Sequence, residues 1–125
     1  MNNHLTALPN DFRQDALELR VAVVSGDPLV VTVNGELDIA SAPALREGLM
    51  AIMRRHGTRL ALDLDGVTFM DCAGINALLA AHRHARLNDG WARVVRASHR
   101  VRKVLMITGL HQELVAARAE TAQAA

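Results

Sequence analysis

Apolar and polar residues alternate from Leu17 to Val23. Leu17, Leu19, Val21 and Val23 fall on one side, with Glu18, Arg20 and Ala22 on the other, the period of a half-buried strand. Ser25-Gly26-Asp27-Pro28 has the composition of a turn. Leu29 to Val33 is apolar enough for a central strand, so the pair predicts a hairpin. Gly35-Glu36-Leu37-Asp38 breaks the pattern, and the period then changes. Leu45, Leu49 and Ile52 recur at helical spacing behind a Ser41 cap, with Pro43 in the first turn and Gly57 as the stop. Arg59 to Leu64 predicts a third strand. Asp63 to Ile75 reads as a buried strand end, a short loop and the first turn of a second helix, Cys72 to Asn88. Asp71 stands at the N-cap, Ile75, Leu78 and Leu79 share one face, and Gly74 permits close approach of a backbone or a partner. A fourth strand follows from Trp91 to Arg96. Ser98 caps a third helix, His99 to Thr108, with Val101, Val104 and Leu105 inward and Gly109 as its end. Leu114 to Ala117 suits a short edge strand.

The order is β-β-α-β-α-β-α, with a possible last strand. Strands separated by helices pair in parallel through right-handed crossovers. The fold class is therefore α/β: one mixed sheet with parallel core strands and helices packed on it. Residues 1–15 are expected to form a flexible arm, 16–118 the domain, and 119–125 a flexible tail.

Half of the 125 residues are hydrophobic but only 2% are aromatic, so aliphatic side chains must build the core. The single cysteine excludes an intrachain disulfide and fits a reducing, cytoplasmic home. The start of the chain lacks the basic and apolar regions of a secretory signal, and no apolar run is long enough to cross a bilayer. Net charge is +1, but Arg83, Arg86, Arg93, Arg96, Arg100, Arg102 and Lys103 crowd one stretch against a single acid, Asp89. This is a solvated surface or a shallow basic patch for an acidic partner.

No catalytic constellation emerges, and the chain is expected not to be an enzyme. Asp38 and Asp71 would converge if their loops share one end of the sheet, yet each is better placed to order its own loop. His82 and His84 are two apart and point to different helix faces, so no metal site is expected. No phosphate loop or dinucleotide fingerprint is present, and no cofactor is expected. Without interleaved aromatics, nucleic-acid binding is not expected either. Cys72 sits where helix N-termini make thiols more reactive, although a small cysteine there usually only packs.

The run Leu29-Val-Val-Thr-Val-Asn-Gly-Glu-Leu-Asp38 and the run Leu62-Asp-Leu-Asp-Gly-Val-Thr-Phe-Met-Asp-Cys-Ala-Gly74 together resemble the STAS domain of bacterial anti-sigma factor antagonists. The similarity covers about residues 17 to 117. Arg102-Lys-Val-Leu-Met-Ile-Thr-Gly-Leu110 fits the family's third helix and its stop. The resemblance implies partner switching: binding a serine-kinase type anti-sigma factor and releasing a sigma factor. The family's Asp-Ser-Ser-Gly becomes Asp71-Cys72-Ala73-Gly74 here. Ala73 occupies the phosphoacceptor position, so the usual switch by phosphorylation is closed. The expected partner-binding residues are Glu36, Asp38, Asp71, Cys72, Ala73, Gly74 and Asn76. No membrane insertion is expected, and the chain is read as a monomer or weak dimer. Two other roles stand beside the favoured antagonist: a non-catalytic STAS subunit of a transporter ATPase or larger signalling assembly, and a Cys72-based redox sensor.

Overall fold

The computed structural model describes residues 5–7, 20–24, 26–109 and 111–115. Its elements in order are β1 (Leu5–Ala7), β2 (Arg20–Val24), β3 (Leu29–Leu37), α1 (Ala42–Arg55), β4 (Arg59–Met70), α2 (Cys72–Arg86), β5 (Trp91–Ala97), α3 (His99–Ile107) and α4 (His111–Leu114). They form the mixed α/β architecture read from the sequence. The five strands lie in the order β1-β2-β3-β4-β5. β1 and β2 pair antiparallel, as do β2 and β3, whereas β3, β4 and β5 run parallel. The short turn between β2 and β3 allows only antiparallel pairing; the helices between β3, β4 and β5 carry the chain back for parallel pairing.

Leu29, Val31, Val33 and Leu37 of β3 are buried, while Val30, Asn34 and Glu36 between them are exposed. One sheet face therefore meets the helices. Leu45, Leu49 and Ile52 of α1, Ile75 and Leu78 of α2, Val101 and Leu105 of α3, and Leu114 of α4 join the strands in one apolar cluster. Each fully buried aliphatic side chain contributes about 1.5–3 kcal/mol of transfer free energy.

Several boundaries depart from the sequence reading. Leu5–Ala7, within the expected flexible arm, forms β1 against β2, because the free edge of β2 offers unpaired backbone groups. Of the strand expected from Leu17 to Val23, Leu17 to Leu19 lie outside the described residues, as does the tail 119–125. Gly35 to Asp38 does not interrupt β3: the strand runs on to Leu37. Nor is Asp65 to Met70 a loop, since β4 continues through it. The two extensions hold each other, with Asn34 beside Gly66, Gly35 beside Val67, Glu36 beside Phe69 and Leu37 beside Met70. Bulges near Thr32/Asn34 and Gly35/Glu36 absorb the loss of alternation that looks like a loop in one dimension. A Cβ at Gly66 would overlap the Asn34 side chain, so this glycine permits the pairing. α2 ends at Arg86, with Leu87 to Asp89 in a turn. Leu114 closes the short α4, and only Val115 makes an isolated parallel bridge, to Val94. The rest of the expected edge strand, residues 116 and 117, lies outside the described residues.

Candidate functional site

β3 and β4 end side by side, and the loops that follow them launch α1 and α2. The two ends are tied directly: the Asp71 amide donates to the Leu37 carbonyl at 3.1 Å. Asp71 then caps α2. Its backbone is extended, and its carboxylate Oδ1 accepts from the amides of Ala73 at 2.9 Å and Gly74 at 3.2 Å. This satisfies two of the donors a helix start leaves unpaired.

The other loop is built differently from the sequence expectation. Ser41 stands at the N-cap of α1 but makes no side-chain cap, because its backbone is already helical (φ −93°, ψ −17°). Its hydroxyl is turned back into the protein. It donates to the Glu36 carbonyl at 2.6 Å and accepts from the Asp38 amide at 3.1 Å, and Ser41 is fully buried. Asp38 does the ordering instead, its Oδ1 accepting from the amides of Ala40 and Ser41, both at 3.0 Å. The two carboxylates therefore lie in neighbouring loops, each engaged by its own backbone.

A groove of about 270 Å³ opens between the two helix starts. Ala42, Pro43 and Arg46 line it from α1, Ala73, Asn76 and Ala77 from α2, and Ile39 from the loop. The spacing explains the lining: positions i, i+3 and i+4 of a helix share one stripe. Ile39 is 80% exposed, a large apolar side chain held in water by the loop that Asp38 and Ser41 fix. Phe69, beside Glu36 on the adjoining strand end, is 43% exposed.

The expected site residues sort clearly. Glu36, Cys72 and Asn76 are exposed, and Asp38, Asp71 and Ala73 are half-buried. All six cluster around the two loops. Gly74 is the exception, since it is buried and faces inward. A Cβ there would lie 2.7 Å from the Cβ and the carbonyl oxygen of Leu37. Its lack of a side chain brings α2 close to β3, the close backbone approach expected of this glycine. Ile39, Pro43, Arg46 and Phe69 were not anticipated. The signal for Ile39 was available, as an apolar residue between Asp38 and Ala40 that is out of phase with the buried Leu45, Leu49 and Ile52.

His82 points into the core, unlike the half-buried His84. Its Nδ1 accepts from the Ala92 amide at 3.2 Å. Burial, reinforced by Arg93 and Arg86 against the opposing effect of Glu113, holds its pKa below the usual histidine value. It is an acceptor joining α2 to β5 and does not line the groove. Among the described residues, no group of three or more His, Cys, Asp or Glu side chains is arranged to hold a metal. No helix among them is long and apolar enough to cross a membrane.

Known proteins share this sequence pattern and fold. The sequence profile of the STAS domain matches residues 20–124. An anti-sigma-B factor antagonist from Staphylococcus aureus is 33% identical over 81 residues, which covers 64% of this chain and 74% of the relative. The structure of the anti-sigma factor antagonist SpoIIAA in its unphosphorylated form superposes with a TM-score of 0.59 at 26% identity, covering 74% of this chain and 83% of that one. An anti-sigma factor antagonist from Mycobacterium paratuberculosis reaches 0.70 at 26% identity, over 86% of this chain and 93% of that one.

Proposed function

The chain belongs to the STAS domain family of anti-sigma factor antagonists, and on that premise we propose that it binds an anti-sigma factor of the serine-kinase type and so releases a sigma factor. The observation that carries this reading is the groove between the starts of α1 and α2, with exposed Ile39 at its edge and Ala73 in its lining. A partner helix or loop that fills this groove buries Ile39 and the alanine stripe. Asp38, Asp71 and Glu36 border the contact and favour a partner bearing Arg or Lys.

Ala73 bears on control. A phosphate on a side chain in the groove would bring roughly two negative charges into a surface already bordered by carboxylates. Ala73 has no hydroxyl to accept one, so binding is constitutive with respect to that switch. The role is that of a binding module with no catalytic step of its own, acting in the cytoplasm.

A pull-down of the tagged chain from its own cell lysate, with and without ATP, tests this reading. Recovery of a kinase-like anti-sigma factor in both conditions, with the mass of this chain unchanged, supports it. Recovery of a transporter ATPase or a large signalling assembly in place of an anti-sigma factor would overturn it.

A further inference from the structure

The basic stretch seen in the sequence does not stay together in the fold. Arg96 pairs with Asp63 at 3.5 Å and Asp65 at 3.4 Å, and Arg83 pairs with Glu113 at 3.5 Å. On α3 the situation differs. Val101 and Leu105 anchor the helix in the core, while Arg100, Arg102, Lys103, Met106 and Ile107 face solvent. The helix contains no acid, and none of its three cations has an ion pair among the described residues. Met106 is 65% and Ile107 77% exposed. Arg102 and Met106, like Lys103 and Ile107, are four apart, so each cation stands one turn from an exposed apolar side chain.

The opposite arrangement exists elsewhere on the same chain. Exposed Glu36 is the register partner of exposed Phe69, and Asp38 adjoins exposed Ile39. Glu36 stands beside Phe69 across the strand pair, and Ile39 follows Asp38 in the same strand-to-helix loop. A carboxylate beside exposed apolar side chains there is opposite in sign to the cations beside Met106 and Ile107 on α3.

We propose that the outer face of α3 (Arg102, Lys103, Met106 and Ile107) docks head-to-tail on the Glu36–Phe69 and Asp38–Ile39 surface of a second copy of this chain. The two surfaces differ, so the contact is heterologous and leaves one unused surface of each kind on every dimer, from which further copies can add. The apolar side chains supply burial, and the charges set orientation and a dependence on salt. Ile39 also lines the groove, so self-association would cover the docking surface and make its availability depend on concentration. That regulatory consequence rests on the proposed function; the contact itself does not.

Sedimentation velocity of the whole chain over a concentration series tests the contact. The expected result is association beyond the dimer at low salt that recedes to monomer at high salt. Arg102→Glu with Lys103→Glu in one chain, and Glu36→Lys in another, should each weaken association on the order of tenfold or more. Thermal melting should be unchanged, because all three side chains are exposed. Mixing the two variants should restore association, because the intact acidic surface of the first meets the intact α3 of the second. A wild-type chain that stays monomeric at low salt at every concentration, or variants that do not complement on mixing, would overturn the proposal. So would pelleting with phosphatidylserine vesicles that needs Arg102 and Lys103 in a chain that does not self-associate, which would assign α3 to a membrane surface. Only this chain is used, so failure here leaves binding of an anti-sigma factor untouched.

Discussion

Residue 74 has no room for a side chain, because a Cβ on Gly74 would lie 2.7 Å from both the Cβ and the carbonyl oxygen of Leu37. The first turn of α2 therefore rests on the last residue of β3, and the loops after β3 and β4 are fixed relative to each other. Gly74→Ala must push α2 and β3 apart and is expected to cost about 1–3 kcal/mol, as overpacking of a well-filled site does. Urea denaturation gives the loss, and the amide resonances of Leu37 to Ser41 should shift with it.

Ser41 and Ser98 both precede helices, but their substitution should have different consequences. Ser98 is an ordinary cap, its Oγ accepting from the Val101 amide at 3.3 Å, so Ser98→Ala should cost about 1 kcal/mol. Ser41→Ala removes a buried hydroxyl and strands the Glu36 carbonyl and the Asp38 amide, for about 1–3 kcal/mol per buried group left unsatisfied. Partner affinity should fall for Ser41→Ala, because the loop that presents Ile39 loosens, and stay unchanged for Ser98→Ala.

His82 makes stability depend on pH. Its folded-state pKa is lowered, so below the unfolded value of about 6.5 the unfolded chain takes up a proton that the native chain refuses. Its contribution is fully present above that value and is lost as the pH falls, levelling off below the folded-state pKa. The slope from this residue cannot exceed about 1.4 kcal/mol per pH unit, the value for one proton. His82→Gln keeps an acceptor for the Ala92 amide without titrating. Urea midpoints measured through this range should fall less steeply for His82→Gln than for the wild-type chain; equal slopes would remove His82 from the pH response.

The parts of the fold that were legible in the sequence are those written in local chemistry. Asp71 and Ser98 announce helix starts because a cap acts within three residues, and Leu45, Leu49 and Ile52 announce a buried face because the helical period is local. The ends of β3 and β4 were hidden because their pairing is not local. Gly35, Gly66 and the polar residues around them look like loops until the two segments are laid side by side, where bulges keep the ladder in register. Ser41 misleads for a related reason: it occupies a cap position, yet its hydroxyl answers to Glu36, five residues back. The neighbourhood of the two loops was legible, since Asp38, Asp71 and Ala73 lie at one end of the sheet. The groove was not, because Pro43 and Arg46 reach it only through the packing of α1 on α2.

The proposed function requires that the groove beside Ala73 receive a serine-kinase type anti-sigma factor. Calorimetric titration of that partner, once recovered from the organism's own cells, into the wild-type chain and Ala73→Glu tests it most directly. Ala73 is half-buried at the helix start, where the dipole tolerates a carboxylate, so the variant should fold with an unchanged melting transition. An unpaired charge driven into the contact should weaken binding about a hundredfold, in line with the several kcal/mol that buried unpaired charges cost. Equal affinity for the two chains would remove Ala73 and its groove from the interface and overturn the proposed binding mode.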